Sequence, residues 1–511
     1  MNQVGNIFRK DVRHQWIEIV VSAGLLICFA WVKMGEWSRP GIGAIANEGA
    51  GAVLYVIAGA LTTPLLLISW MFLIVRAVHG ESPAGDRQFW VTRPYEWKQL
   101  LVAKILFVIA FINVPLFLAQ TFLVYKAGFQ PAHYLAGLLW LQLFWTLVLL
   151  LPAVALAAVT RNIGHWLLAL LFVGLFAIGL SILAAAVPSS SFPTPVDSIG
   201  LLLVIMAAIA AILLQYSLRR TAQSRWLIAA VAGVIMLILV ATPYRRLIAR
   251  AYPRAKPDFP LRLSLAVAPS GIHYHLRNRV PVNVEFQLSG LSNDSFVELN
   301  GYILTLRNSS GQHWDSGWEG RGGMSFPEDK ILTTNLEISK DELDKLSASP
   351  ITGDLMMAFT LYHDRNQRSF VVPRGEFSFP DLGWCSSDPN NSISGLTCRV
   401  ALRRPQFLMV SSEMASSTCP LANDQLAPKP GEIVRAFIRG GSDPAEPGLS
   451  PVLTTGITFW QTSTNRISGI CPGTPLTLSK PDDVGRSRIE VHIDNAWFDA
   501  YLKALNSTRS Q

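Results

Sequence analysis

Four cysteines in the C-terminal part of the chain, Cys385, Cys398, Cys419 and Cys471, stand apart from a fifth, Cys28, in an apolar run near the start. Thiols can pair, stay free or hold a metal, and their spacing discriminates among these fates. The gaps are wide and irregular, without the Cys-x-x-Cys step of a zinc site. The even set therefore reads as two disulfides, with free thiols as the rival reading. Four cysteines allow three connectivities; Cys385 with Cys398 and Cys419 with Cys471 requires the least rearrangement. Each bond would stabilise the fold by about 2–4 kcal/mol, chiefly by restricting the unfolded chain. His273 and His275 would share one face of a strand, but no third ligand accompanies them. The chain has no Gly-x-x-x-x-Gly-Lys-Ser/Thr loop, no His-Glu-x-x-His and no Gly-x-Ser-x-Gly elbow. It therefore lacks the usual nucleotide cradle, zinc-peptidase helix and hydrolase nucleophile, and we expect neither catalysis nor a cofactor within it.

The stretch from Glu81 to Lys98, running on into Lys104, is rich in a different chemistry, with two prolines, four aromatic rings and charges of both signs. It reads as a docking surface, or else as a solvated linker with a few interfacial anchors. At the N-terminus Val4, Phe8, Val12 and Trp16 recur at i+4 while Arg9, Lys10 and Arg13 occupy other faces. That is the pattern of an amphipathic helix able to lie at a membrane surface; a frayed basic flank is the blander alternative.

These segments are held by apolar helices. Of the 511 residues, 50% are hydrophobic and 15% charged, well below the ~25% charged of a soluble domain. A span needs roughly 20 apolar residues, and runs of that kind lie near 16–33, 51–75, 99–125, 133–159, 165–187, 198–217 and 226–243. Trp16, Trp31, Trp70, Trp97, Trp140, Trp166 and Trp226 fall mostly near their ends, as an aromatic belt would. The net charge of +8 does not indicate nucleic acid, because the basic residues are scattered between apolar runs. They cluster in alternate loops instead: Arg9, Lys10 and Arg13, then Arg76 to Lys98, Arg161, and Arg219 to Arg225. By the positive-inside rule the N-terminus is expected in the cytoplasm of a multi-pass inner-membrane protein, with the C-terminal half outside. Arg245, Arg246, Arg250 and Arg254 run against that rule. Ser69, Asn113, Gln120 and Gln142 are the polar residues of the spans, and no charged residue lies at mid-depth. That argues against a proton-coupled carrier and leaves interhelical hydrogen bonds as their simplest use.

Beyond Leu261 the pattern changes to short alternating stretches such as Val282-Asn283-Val284-Glu285-Phe286 and Ile489-Glu490-Val491-His492-Ile493. Period two means strands with one buried face. The expected fold class is thus an α-helical polytopic membrane domain of about seven helices followed by an all-β, sandwich-like extracytoplasmic domain. The expected divisions are 1–15 for the amphipathic helix, 16–243 for the spans, and 257–380 and 381–511 for two β-rich regions. Ser339-Lys340-Asp341-Glu342 has capping-box spacing and predicts one short helix among the strands.

With the acidic segment around Asp86, the Thr92-Arg93-Pro94 step, Lys104 at the start of helix three and Arg9-Lys10-Asp11 before helix one, the N-terminal half resembles the permease subunits of ABC-2 type ABC transporters. The resemblance implies an ATP-driven exporter whose ATP sits on a separate P-loop ATPase subunit, with a possible second permease copy in the bilayer. It places Asp86, Arg93, Pro94 and Lys104 in or beside the ATPase-coupling contact. A seventh span and an external domain depart from the family's usual six spans. The other reading is a membrane-anchored envelope protein whose external β-domain binds a partner or ligand, with Trp314 and Trp318 as an aromatic contact surface.

Overall fold

The computed structural model describes residues 3–37, 50–80, 96–186, 195–241, 244–265, 279–320, 323–326, 331–365, 367–379, 382–387, 396–402, 407–413, 433–439, 448–457, 459–461, 467–468 and 473–509. Among them seven helices are long and apolar enough to cross a membrane: Trp16–Gly35, Gly59–His79, Trp97–Lys126, Pro131–Val159, Ile163–Leu180, Ile199–Leu218 and Thr221–Ile238. They are numbered here as spans one to seven. This is the architecture of a polytopic membrane protein, followed in the chain by a region built of several β-sheets.

The residues divide into two compact units, each assembled from separate stretches. The first comprises 1–176, 198–238 and 368–478. Its helical core combines alanines, among them Ala103, Ala153, Ala155, Ala157 and Ala158, with large apolar side chains such as Leu66, Trp70, Leu73 and Phe107. Leu171, Phe172, Leu202 and Trp226 point outward. Small residues inside let backbones approach closely, and large ones outside suit lipid. Trp16, Trp31, Trp140 and Trp226 are more than half exposed, whereas Trp70 and Trp166 are each 1% exposed and belong to the core rather than to a belt. The same unit holds a four-stranded sheet, in the order Val452–Ile457, Leu396–Ala401, Gly383–Ser387, Gly375–Phe379, and a six-stranded sheet that includes Ile433–Arg439, Phe407–Glu413, Pro475–Ser479 and Arg368–Val371. Phe379, Leu396, Val410 and Leu476 from these sheets share one core.

Cys385 and Cys398 face each other on neighbouring strands, with Cα atoms 4.0 Å apart, and form a disulfide. Cys419 and Cys471 lie outside the described residues, as do His273 and His275. Span three ends where Gly128 takes φ +90°, a conformation natural to glycine. The amide of Phe129 then donates back to Val124 at 3.1 Å, the closing bond of a Schellman turn. The Gly128 carbonyl in turn accepts the Trp384 indole N–H at 3.2 Å, which ties a strand of the β region to the helix end.

The second unit comprises 177–197, 239–367 and 479–511. A three-stranded sheet, Arg262–Leu265, Arg279–Ser289 and Ile331–Ser339, and a five-stranded sheet share a core. In the five-stranded sheet Asp482–Ile493 pairs with Ile351–His363, which pairs with Ser295–Asn308. Alternation puts Val280, Val282, Val284 and Phe286 inside on one strand. The predicted short helix forms over Lys340–Leu346; Ser339 accepts from the Glu342 amide at 3.3 Å, and its hydroxyl also bonds the Glu342 carboxylate at 3.2 Å. Trp318 is 3% exposed and stacks on Tyr252 at 6.1 Å. It is therefore a packing residue and not part of an aromatic contact surface.

Candidate functional site

Spans two, three, four and six of the first unit enclose a cleft of about 500 Å³. Its wall is almost wholly aliphatic; the polar side chains on it belong to Lys104, Asn113, Gln142, Thr146 and Tyr216. Volumes of 300–1,000 Å³ with few polar groups are typical of small-molecule sites.

Three of the helices around the cleft widen beside it. π-Helical turns run over Ile109–Asn113, Thr146–Leu150 and Leu214–Leu218. The first two have a local cause. Pro115 and Pro152 each stand two residues beyond a π-turn and cannot donate to the carbonyl four residues back. The helix relaxes by stretching the preceding turn, so that Val114 N–H bonds the Ile109 carbonyl and Leu151 N–H the Thr146 carbonyl, five residues back in each case. The third ends on Arg219, whose φ of 59° reverses the chain into span seven. Each π-turn contributes to the wall, through Asn113, through Thr146 and through Tyr216. Such turns recur at functional sites because they displace a side chain from the ordinary helical position.

A directional chain of hydrogen bonds crosses the site. Gln120 donates through Nε2 to the Leu449 carbonyl at 2.8 Å, and accepts from Gln142 Nε2 at 2.8 Å. Thr146 gives its hydroxyl proton to the Gln142 carbonyl at 2.7 Å and accepts from Asn113 Nδ2 at 3.0 Å. Backbone carbonyls at both ends can only accept, so the sense of every bond between them is fixed. Two groups are left over: the side-chain oxygens of Asn113 and Gln142 are buried without a hydrogen-bond partner. Each such oxygen costs about 1–3 kcal/mol.

At the other end of the cleft, Lys104 Nζ is 2.7 Å from Asp11 Oδ2, and the two side chains are only 4% and 5% exposed. The helix Gln3–His14 brings Asp11 there; its Phe8 stacks on Phe111 at 5.8 Å, and Ile7 is buried. The N-terminal helix thus docks on span three through the face that carries Val4, Phe8 and Val12, while Trp16 opens span one. Nearby helix ends are tied by polar side chains: Glu18 pairs with Arg76, His79 bonds the Ala157 carbonyl at 3.0 Å, and Arg225 donates twice to the Val159 carbonyl, at 3.1 and 2.9 Å.

Of the four residues expected at an ATPase contact, Asp86, Arg93 and Pro94 lie outside the described residues. Lys104 is internal, held by Asp11. Asn113, Gln120 and Gln142 are legible in the sequence as polar groups of the spans, but the cleft that Asn113 and Gln142 line is not. Pro115 and Pro152, inside otherwise unbroken apolar runs, were the available signal. Among the described residues no group of three His, Cys, Asp or Glu could hold a metal ion.

No family model matches the chain, and no curated protein matches it. The solved structures with a matching stretch include a transglutaminase from red sea bream, 12% identical, covering 48% of this chain and 33% of that one at a TM-score of 0.13. A superposition that poor carries neither fold nor function.

Proposed function

We propose that this chain is the membrane-spanning subunit of an ATP-driven, ABC-2-like exporter. It works with a separate P-loop ATPase subunit and a second permease copy, with its N-terminus in the cytoplasm and its β-rich half outside. The cleft among spans two, three, four and six carries the reading, because a passive anchor needs no widened helices around a ligand-sized space. The docked N-terminal helix adds support. A loop engaged by an ATPase, with Asp86, Arg93 and Pro94 in contact, would connect directly to the helix that holds Lys104 and, through Asp11, to the N-terminal helix. The Cys385–Cys398 bond suits an oxidising compartment and hence the proposed orientation.

Two measurements test this. The full chain, purified from its native membrane, should carry a P-loop ATPase with it, and Arg93→Glu should reduce that yield severalfold; no ATPase in either preparation sinks the proposal. In intact cells an impermeant thiol reagent should reach Cys385 and Cys398 only after reduction. Labelling that instead needs membrane permeabilisation, and no reductant, reverses the orientation.

A further inference from the structure

The geometry points to the helix Tyr244–Ala251 as a contact for lipid headgroups, in which Arg246 and Arg250 bind the phosphates of anionic phospholipids. The helix begins three residues after the helix of span seven, Thr221–Ala241, ends. Three residues reach no more than about 11 Å, so the chain itself holds Tyr244–Ala251 at the bilayer surface. Its apolar side is already used. Ile248 and Tyr252 are buried with Ile303, Trp318 and Ala358, and Leu247 and Ala251 pack beside them. Arg488 fixes the far end, donating through Nη1 to the carbonyls of Ala249 at 3.1 Å and Tyr252 at 3.3 Å. The helix therefore cannot roll over to bury that face in lipid, as a free amphipathic helix does.

What it turns outward is charge. Arg246 and Arg250 stand four residues apart on the face opposite Ile248, and both are exposed. Neighbouring cations have acidic partners: Arg245 pairs with Asp315, and Arg254 lies 3.9 Å from Glu490. Arg246 and Arg250 have none among the described residues. The sequence supplies none nearby either. No Asp or Glu occurs from Ser198 to Pro257, although Arg245, Arg246, Arg250, Arg254 and Lys256 crowd the end of that stretch. Basic residues beside a span ordinarily hold that end in the cytoplasm; on the outer side, where the proposed orientation puts these, a bound phosphate gives them a use. Arginine suits it, because the planar guanidinium meets two phosphate oxygens at once. The contact goes beyond the exporter reading and needs no ATPase.

The full chain is placed in phosphatidylcholine nanodiscs with a trace of one of two photoreactive lipids, a phosphatidylglycerol or a phosphatidylcholine with the same diazirine at the top of one acyl chain. Both probes carry a phosphate, but choline offsets its charge in the second. Labelling of residues 244–257, mapped by peptide sequencing, should be about tenfold stronger from the anionic probe. That ratio should shrink as salt rises from about 0.1 M to about 1 M. Arg246→Gln combined with Arg250→Gln should lower it to about twofold, with labelling of span seven unchanged, which shows that the variant is folded and inserted.

Equal labelling by the two probes in the wild-type chain overturns the recognition of charge. A ratio that the double variant leaves unchanged places the recognition on other residues and overturns the site. No labelling of 244–257 by either probe means that something other than lipid, an acidic protein included, covers the helix, and overturns the contact. Each of these outcomes leaves ATPase co-purification untouched, just as a missing ATPase leaves the labelling result standing.

Discussion

The helical core of the first unit and the double-sheet core of the second solve opposite solvation problems. In the sheets, large apolar side chains such as Phe286, Leu304, Leu355 and Met357 go inside, and with them the charged Glu298, which accepts from the Tyr362 hydroxyl. Arg245 pairs with Asp315 while remaining half exposed. In the helices, alanines and polar side chains join large apolar ones inside, and leucine, isoleucine and phenylalanine also cover the outside. The ion pair there, Asp11 with Lys104, is almost completely buried. Apolar surface gains little by leaving lipid, so packing of small residues and internal polar bonds must hold the bundle together. In the sheets, withdrawal of apolar area from water is the main stabilising contribution.

The two cores should differ most when one member of each ion pair is removed. Lys104→Met takes the ammonium away from the buried Asp11 carboxylate and should cost about 3–5 kcal/mol, whereas Asp11→Leu combined with Lys104→Met should be nearly neutral. Arg245→Ala, at an exposed pair, should change stability by no more than about 1 kcal/mol. Denaturant titration of the purified variants in detergent checks all three; similar losses for Lys104→Met and Arg245→Ala would erase the distinction.

Next in size is a packing test in the sheet unit. A Cβ on Gly301 would lie 2.4 Å from the Trp318 ring and 2.7 Å from the Glu319 carbonyl oxygen. The strand is bulged between Leu299 and Gly301, and Tyr302 and Glu319 exchange two backbone bonds of 3.0 and 2.9 Å. Neither neighbour can move freely, so Gly301→Ala should cost about 1–3 kcal/mol in the same titration. In the bundle, a methyl group on Gly24 would have nothing within 4 Å of it, and Gly24→Ala should be tolerated there.

Smaller still is the helix cap at Ser339, where Ser339→Ala should lose about 1 kcal/mol with no change in the slope of the titration.

The smallest effect is a pH dependence confined to the sheets. Burial, followed by the charge of Asp483, pushes the Tyr362 hydroxyl above its ordinary value of 10.0. That hydroxyl donates to Glu298 Oε2 at 3.1 Å. Because the folded-state pKa is the higher one, the stabilisation is complete below the unfolded value and is lost as pH rises through the folded value. Thermal midpoints of the wild-type chain should therefore fall more steeply above pH 10 than those of Tyr362→Phe; parallel curves would remove Tyr362 from the account.

Features that depend on neighbours a few residues apart are legible in the amino-acid order. Apolar run length marked the seven spans, period-two alternation marked strands such as Arg279–Ser289, and the Ser339 to Glu342 spacing marked a capped helix. The pairing of Cys385 with Cys398 was readable for the same reason, since 13 residues separate them. Tertiary structure alone decided the rest. Asp11 meets Lys104 across 93 residues and Gln120 meets Leu449 across 329. Likewise, Asp482–Ile493 returns to the sheet of Ile351–His363. Periodicity tells which face of an element is apolar, but not which other element will cover it. Trp166 and Trp31 have the same side chain near the ends of similar helices, yet only the first finds a partner helix over it and is buried. The cleft is the clearest case. Pro115 and Pro152 were visible as helix-weakening residues, but the space beside them is defined by four helices at once.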